Sequence, residues 1–289
     1  MTTPSLVVHA AGPLALVEDL GRPGLAGMGV GRSGAADRGA LRLANRLLGN
    51  PEGAAGVEVT AGGLDVEVRE APVTVCVTGA VAPVAVDGRE VGTHAPVVVG
   101  PGSRLSVGPP STGLRTYLAV RGGLGVDPVL GSASRDVLSG LGPDPLATGT
   151  VLPVGPAPAD DVPGVDEVAP ARLDTTAVLR AVRGPRADRV QDPDLLVRTT
   201  WRTTERSNRV GARLAGARFR HVDDAQLPSE GVWRGAVQVP PGGEPVLFLA
   251  DHPVTGGYPV VAVVVDADVD RAAQLRPGDV VTFRWVPAP

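Results

Sequence analysis

Residues 57–68 read Val57-Glu58-Val59-Thr60-Ala61-Gly62-Gly63-Leu64-Asp65-Val66-Glu67-Val68. Apolar and charged residues alternate on both sides of the two glycines. This two-residue period is typical of a β-strand with one solvent-exposed face. The stretch therefore predicts two strands joined as a β-hairpin, with its turn at the glycine pair.

Short apolar runs of similar length recur along the rest of the chain. They predict strands at residues 72–78, 96–99, 115–120, 177–182, 236–239, 246–250, 260–265 and 280–283. Turn sequences such as Pro240-Pro241-Gly242-Gly243 separate them. The 39 Gly and 29 Pro among 289 residues fit many short strands joined by turns, so we expect a mainly β fold with few helices.

One segment has the helical period instead. From Asp37 to Leu48 the apolar residues form a single stripe at intervals of three and four residues. Asp37 or Ser33 is suited to the amino end, and Gly49 is suited to the carboxyl end. A second, shorter helix is predicted at residues 188–198, where a proline interrupts the pattern.

A polar, proline-rich stretch without a period follows the first half of the chain. It predicts a linker at residues 156–173. The chain then divides into a first domain at residues 1–155, which holds the long helix, and a second at residues 174–289. Both lengths are normal for single domains, and their many short strands predict two β-barrels.

Composition excludes several classes of chemistry. The formal net charge of −4 gives no reason to expect nucleic-acid binding. All 27 basic residues are Arg, so the chain holds no Schiff-base, phosphate-loop or biotinylated lysine. The single cysteine, Cys76, lies in an apolar run and predicts a packed thiol rather than a nucleophile. Met1-Thr2-Thr3-Pro4 lacks the pattern of a signal peptide, and we expect a cytoplasmic location.

Two glycine-rich clusters are candidates for anion binding. Residues 29–37 carry Arg32 and Ser33 into the predicted start of the long helix, where freed backbone amides and an arginine favour an anion. The alternative is a tight turn with a helix cap. Residues 206–211 place Asn208 beside two guanidinium groups, which suits a carboxylate or phosphate as well as it suits a solvated loop.

A third cluster has the residue types of acid–base catalysis. Glu230 and Gln238 precede Asp251-His252, which follow directly after an apolar strand. A carboxylate there can act as a base, and a nearby histidine can carry a proton. Neighbouring side chains on an extended chain point in opposite directions, so the two need not face one pocket.

Two further patterns are incomplete. His221, Asp223 and Asp224 have no second spaced histidine or cysteine to complete a metal site, and we predict no metal ligands. The sequence Gly131-Ser132-Ala133-Ser134-Arg135 lacks the final glycine of a serine-hydrolase elbow.

Longer blocks of sequence then become recognisable. They include Gly31-Arg32-Ser33-Gly34-Ala35-Ala36-Asp37-Arg38, Tyr117-Leu118-Ala119-Val120-Arg121-Gly122-Gly123, Ser207-Asn208-Arg209-Val210-Gly211 and Thr255-Gly256-Gly257-Tyr258-Pro259. Such blocks follow one another in the same order from about residue 14 to residue 284. Through them the chain resembles the biotin-dependent carboxyltransferase / allophanate hydrolase subunit 2 family. The resemblance implies two cyclophilin-like β-barrel domains.

The resemblance also implies an activity. Stand-alone members of this family are mostly the C subunit of a prokaryotic 5-oxoprolinase, which opens L-5-oxoproline to L-glutamate with ATP hydrolysis. We therefore expect ATP, with Mg²⁺ implied, to be shared with partners that resemble the B and A subunits of 5-oxoprolinase. The B-like partner resembles a kinase inhibitor.

Two other functions remain open. The first is transfer of CO2 from carboxybiotin to urea or a related amide, with biotin on a separate carrier because this chain has no lysine. The second is a non-catalytic antagonist that binds a kinase-inhibitor-like partner.

The matched polar residues are the predicted site. We predict Asp251, Glu230 and Arg209 as catalytic, with arginine binding an anion and a carboxylate moving a proton. These roles come from side-chain chemistry and are not assigned by the family pattern. The predicted substrate- or nucleotide-binding residues are Arg32, Ser33, Asp37, Asn45, Glu58, Arg121, Ser132, Asn208, Gln238, Thr255 and Tyr258. The chain departs from the family pattern at Gly131–Arg135 and Gly142–Pro145, and a loop there that touches substrate would change specificity.

Overall fold

The chain forms two compact units. The computed structural model describes residues 3–159, 168–169, 175–223 and 225–288. The first unit comprises Met1–Arg22, Asp37–Asp136 and Gly140–Leu173, and the second comprises Pro23–Ala36, Val137–Ser139 and Asp174–Pro289. Two short segments before residue 155 thus belong to the second unit, which the predicted boundary does not mark. The predicted linker at 156–173 lies mostly outside the described residues.

The first unit contains eleven strands and one helix among its described residues. The helix, α1, spans Arg38–Leu47. The strands are β1 (Ser5–Ala11), β2 (Leu14–Glu18), β3 (Gly56–Thr60), β4 (Leu64–Arg69), β5 (Val73–Val81), β6 (Val84–Val86), β7 (Arg89–Val91), β8 (Val97–Val99), β9 (Arg104–Val107), β10 (Thr112–Val120) and β11 (Val151–Pro153).

These strands form two sheets around one apolar core. A six-stranded sheet has the order β11-β1-β4-β9-β6-β7, and a five-stranded sheet has the order β2-β3-β10-β5-β8. Leu6 and Val66 from the first sheet and Val57 and Leu118 from the second belong to the same buried cluster. The first unit therefore consists of two sheets that share a core. A β-barrel was expected from the sequence.

The predicted hairpin at residues 57–68 is wrong in its pairing. Both strands exist, but β3 pairs with β2 and β10, whereas β4 pairs with β1 and β9. Between them Ala61, Gly62 and Gly63 all have positive φ, and Gly62 lies so close to the Gly108 carbonyl that a Cβ would be 2.2 Å from it. The glycines thus carry the chain from one sheet to the other and do not reverse it within one sheet.

Helix α1 covers the other face of the five-stranded sheet. Asp37 caps its amino end by accepting a hydrogen bond from the Ala40 amide, as predicted. Its apolar stripe, with Ala44 and Leu48, packs against Cys76 and Ala119 of the sheet. Since strand side chains alternate in direction, the same face also carries Glu58 and Tyr117, and it buries polar groups under the helix.

The second unit is built on a closed barrel. Its strands are β12 (Thr176–Arg183), β13 (Trp201–Thr203), β14 (Gly211–Ala215), β15 (Glu230–Gly231), β16 (Ala236–Gln238), β17 (Val246–Phe248), β18 (Thr255–Gly256), β19 (Val260–Val264) and β20 (Val280–Trp285). Seven of them close in the order β12-β19-β16-β17-β14-β13-β20, and β15 and β18 form a separate two-stranded ribbon. Buried Leu179, Trp201, Leu247 and Val261 fill the core.

Two helices accompany the barrel in the described part of the second unit. The helix predicted at 188–198 is replaced by a 3-10 turn at Ala187–Arg189 and a short helix, α2, at Leu195–Arg198. A helix at Asp266–Ala272, α3, was not predicted from the sequence. Among the described residues no helix is long and apolar enough to cross a membrane. The mainly β class with few helices is confirmed.

Candidate functional site

Arg209 and Asp251 form a buried ion pair in the second unit. Arg209 donates from Nε to Oδ2 of Asp251 at 2.8 Å and from Nη2 to Oδ1 at 3.1 Å. The two side chains are 1% and 0% exposed. A bidentate pair of this kind is held in one geometry, because two parallel hydrogen bonds fix the orientation of both groups.

The same carboxylate fixes two other segments of the second unit. Oδ1 of Asp251 also accepts the Ser33 hydroxyl at 2.6 Å, and Oδ2 accepts the Val137 amide at 3.1 Å. Arg209 donates in turn to the Gly34 carbonyl at 2.7 Å. Ser33 has a φ of 55°, a backbone conformation that a non-glycine residue adopts only under constraint. We call Ser33, Arg209 and Asp251 the clasp.

The clasp brings together three of the predicted site residues. Because Asp251 accepts four hydrogen bonds, it would have to give up a partner to act as a base. Its catalytic role and that of Arg209 stay predictions. The geometry shows directly that the pair holds Ser33, Gly34 and Val137 in place.

Four other predicted residues meet at the two-stranded ribbon. Glu230 in β15 lies opposite Gly256 in β18, and Thr255, the other residue of β18, lies opposite Gly231. Gln238 donates from Nε2 to the Tyr258 carbonyl at 3.1 Å. Arg186 donates from Nε to both Glu230 oxygens at 3.0 Å, and this hydrogen bonding lowers the pKa of the Glu230 carboxyl.

Beside this ribbon lies a cleft of about 640 Å³. Tyr258 is the one predicted site residue on its wall. The cleft is lined by Arg189, His221, Asp223, Ala225, Gln226, Leu227, Pro241, Gly257, Tyr258 and Pro259. Its volume lies in the range of small-molecule sites.

In the first unit, Asp37 and Glu58 are joined through Tyr117. The Tyr117 hydroxyl donates to Oε2 of Glu58 and accepts the Asp37 amide, both at 2.8 Å. Arg115 lies 3.4 Å from the other Glu58 oxygen. Burial, reinforced by the charges of Glu58 and Asp37, raises the pKa of Tyr117 well above its usual value. The phenol is therefore a fixed neutral donor that also sets the start of α1.

Asn45 and Arg121 secure the other end of α1. Asn45 donates to the carbonyls of Glu52 and Ala54 at 3.2 and 2.8 Å. Arg121 donates to the Leu48 carbonyl at 2.6 Å, where the helix ends. Both contacts satisfy backbone carbonyls near a helix terminus, which is a structural use of polar side chains.

Ser132 belongs to a compact network in the first unit. The hydroxyls of Ser132 and Ser134 donate to Oδ1 of Asp19 at 2.6 and 2.5 Å, and the Ala133 amide donates to Oδ2 at 2.8 Å. The buried Arg22 donates to the Ser134 carbonyl at 2.5 Å. This network holds the segment in which the sequence departs from the family pattern.

The remaining predicted residues are exposed. Arg32 lies in the loop next to Ser33, and the Asn208 side chain accepts the Val210 amide at 2.9 Å in a local turn. Sequence reasoning missed Arg186, Arg189, Asp19 and Tyr117 as polar partners, because these residues lie far along the chain from the groups that they contact.

In the part of the chain that the structure describes, no group of three or more His, Cys, Asp and Glu side chains converges as a metal site. His221 and Asp223 line the cleft, and Asp224 lies outside the described residues. Cys76 is buried, and burial raises the pKa of its thiol to about 12.

A closed seven-stranded barrel in one unit and two sheets around a shared core in the other define a two-unit, mainly β protein. Residues 28–285 match the family described as carboxyltransferase domain, subdomain A and B. The chain belongs to this family.

Relatives of two kinds are similar to the chain. The C subunit of 5-oxoprolinase from Escherichia coli is 36% identical over 286 residues, which cover 96% of this chain and 90% of that protein. The crystal structure of TTHA0988 superposes with a TM-score of 0.88 at 33% identity, over 98% of this chain and 56% of that one. The crystal structure of the Kluyveromyces lactis urea amidolyase gives a TM-score of 0.90 at 27% identity, and this chain covers 19% of it.

Proposed function

We propose that this chain is the C subunit of an ATP-dependent 5-oxoprolinase that opens L-5-oxoproline to L-glutamate. The observation that carries the proposal is the match to the C subunit of the E. coli 5-oxoprolinase, which extends over 96% of this chain and 90% of that protein. The urea amidolyase of Saccharomyces cerevisiae matches 91% of this chain but only 16% of its own length. Coverage of both sequences thus favours the oxoprolinase.

The chemistry explains why such an enzyme needs ATP. A lactam carbonyl is a poor electrophile, and transfer of the γ-phosphoryl group of ATP to its oxygen creates a leaving group for attack by water. Water then adds at the carbon and the ring C–N bond breaks, which gives the free amine and an acyl phosphate. A second water attacks this acyl phosphate, and phosphate leaves to give the carboxylate of glutamate. Arginine side chains of this chain are suited to stabilise the developing negative charge.

The chain alone is not expected to complete this reaction. Its sequence has no Walker loop. The Mg²⁺ that accompanies ATP is expected to be held mainly by the phosphates and by a partner. We therefore propose that B-like and A-like subunits share the nucleotide, and that the assembly works in the cytoplasm.

A carboxyltransferase is the second candidate, favoured by the close superposition on urea amidolyase. Since the chain has no lysine, carboxybiotin would have to come from a separate carrier protein. Inhibition of turnover by avidin, with urea or another amide as substrate, would support this function over the first.

The decisive experiment is reconstitution with B-like and A-like subunits of a 5-oxoprolinase. Glutamate released from 5-oxoproline is measured with and without ATP, with and without this chain, and with added avidin. We expect release that needs ATP, is lost when this chain is omitted and is insensitive to avidin.

Two results would contradict the proposal. ATP hydrolysis by the purified chain in response to 5-oxoproline would contradict the proposal that the reaction needs partner subunits. A stable complete complex that releases no glutamate would contradict the oxoprolinase function. The remaining candidates would then be carboxyl transfer and a non-catalytic antagonist.

A further inference from the structure

The cleft of the second unit has unsatisfied hydrogen-bonding capacity on several sides. Among the described residues, Arg189 uses only Nη2, which donates to Asp223 at 2.7 Å and to the Ala225 carbonyl at 3.5 Å. Its Nε and Nη1 donors have no described partner, and the side chain is 26% exposed. A guanidinium with two open nitrogens and some solvent access has the donors to bind a second carboxylate beside that of Asp223.

His221 offers the opposite polarity. Its Nε2 lies 3.1 Å from the Pro240 carbonyl, and a carbonyl can only accept, so Nε2 carries the hydrogen. With that hydrogen on Nε2, the other ring nitrogen, Nδ1, is available as an acceptor. The cleft therefore pairs a guanidinium donor with a ring-nitrogen acceptor.

The rest of the wall is amphipathic. The Tyr258 hydroxyl makes no hydrogen bond to a described residue, and the residue is 49% exposed. Leu227, Pro241 and Pro259 supply apolar surface against which methylene groups can pack. A ligand that satisfies this wall carries an anion, an N–H donor, a carbonyl acceptor and a few methylenes.

We propose that this cleft binds a cyclic amide that bears a carboxylate. Arg189 takes the carboxylate, Nδ1 of His221 accepts the amide N–H, and the Tyr258 hydroxyl donates to the amide carbonyl. The proposal rests on the proposed function in one respect, namely that 5-oxoproline is the molecule of this class that such an enzyme meets.

Binding is tested on the full chain, alone and assembled with its partner subunits, by saturation-transfer NMR and calorimetric titration. The probes are 5-oxoproline, 2-pyrrolidone, which lacks the carboxylate, and cyclopentanecarboxylate, which lacks the amide. We expect 5-oxoproline to bind more tightly than either single-function probe. Equal binding of all three would overturn the proposal, as would no binding of 5-oxoproline in either form.

Two variants locate the site. Arg189→Gln should weaken 5-oxoproline binding by at least about tenfold, because a charge-assisted hydrogen bond is lost. Tyr258→Phe should weaken it by about fivefold and leave cyclopentanecarboxylate unchanged, because only the amide carbonyl loses a donor. Arg218→Gln is the matched control, since Arg218 is 72% exposed and lies outside the cleft. Circular dichroism confirms that each variant is folded.

The outcomes separate this proposal from the proposed function. If the complete complex releases glutamate and Arg189→Gln changes neither binding nor KM, the cleft assignment is wrong and the oxoprolinase function stands. If the chain binds 5-oxoproline through Arg189 and the complex releases no glutamate, the cleft stands and the oxoprolinase function is wrong.

Discussion

Asp251→Ala removes the carboxylate at the centre of the clasp and leaves the Arg209 guanidinium, 1% exposed, without its counter-charge. Removal of one partner of a buried ion pair costs about 3–5 kcal/mol, because the remaining charge is neither paired nor solvated. The Ser33 hydroxyl and the Val137 amide lose their acceptor as well. We therefore expect the free energy of unfolding of the second unit to fall by at least this amount.

Thermal unfolding and hydrogen exchange measure the effect at two levels. A change of 1 kcal/mol shifts the melting temperature by about 2–4 °C in domains of about 150–250 residues and by more in smaller ones, so the variant should melt at least about 6 °C lower. Backbone exchange should increase in the peptides that contain residues 31–36 and 137–139, which the clasp holds. Ser33→Ala loses one hydrogen bond to a charged group and should cost about 1.5–3 kcal/mol.

Two further variants test whether the clasp stabilises the second unit. Glu244→Gln breaks a more exposed pair, in which Arg206 and Arg218 lie 3.3 and 3.6 Å from the carboxylate, and should cost less than about 1 kcal/mol. Arg209→Met with Asp251→Leu replaces the pair by apolar groups and should recover much of the stability lost in Asp251→Ala. If Asp251→Ala costs no more than Glu244→Gln, or if the double variant is no more stable than Asp251→Ala, the clasp does not stabilise the unit.

Three further predictions concern single buried groups. Tyr117→Phe should cost about 1–3 kcal/mol in chemical denaturation, because Glu58 and the Asp37 amide lose a buried partner, and a cost within a few tenths of zero would contradict the network. The Cys76 thiol, with a pKa of about 12, should resist alkylation at pH 8 in the native chain and react once the chain is unfolded; rapid native labelling would contradict its burial. Burial raises the pKa of Asp268, but hydrogen bonds and charge from Arg180 outweigh it and leave the pKa below the usual 3.8. The stability that Asp268 contributes is thus present above pH 3.8 and is lost as pH falls through the folded value, so Asp268→Asn should destabilise the chain at pH 7 and flatten the loss of stability below pH 3.8. An unchanged acid profile would contradict this.

Local signals predicted local structure well. The stripe from Asp37 to Leu48 gave α1 with its cap, because the period and the capping hydrogen bond both lie within a few residues. The turn at Pro240–Gly243 joins two paired strands as expected, since Val237 lies opposite Leu247. Helix α3 was missed because Val260 to Val264 and Asp266 to Ala272 follow each other without an intervening break in the sequence.

Contacts between residues that lie far apart along the chain could not be predicted from the sequence. The alternation around Gly62 and Gly63 is the same whether the two strands pair with each other or lie in different sheets, and only the positive φ and the close approach to Gly108 decide it. Likewise Ser33 and Asp251 meet across 218 residues, and Arg186 meets Glu230 across 44. No period or spacing in a single sequence carries such a contact.

The predicted site residues divide by what their side chains do in the structure. Asn45 and Arg121 satisfy backbone carbonyls near the end of α1, and Asp37 caps the start of that helix. Arg209 and Asp251 hold loops in the second unit. A buried polar group is costly unless it is paired, so each of these positions constrains the fold whatever the chemistry of the site. The blocks that carry the family resemblance therefore specify the fold strongly. The substrate recognition that we propose falls instead to partly exposed residues such as Arg189 and Tyr258, whose hydrogen-bonding groups are still available to a ligand.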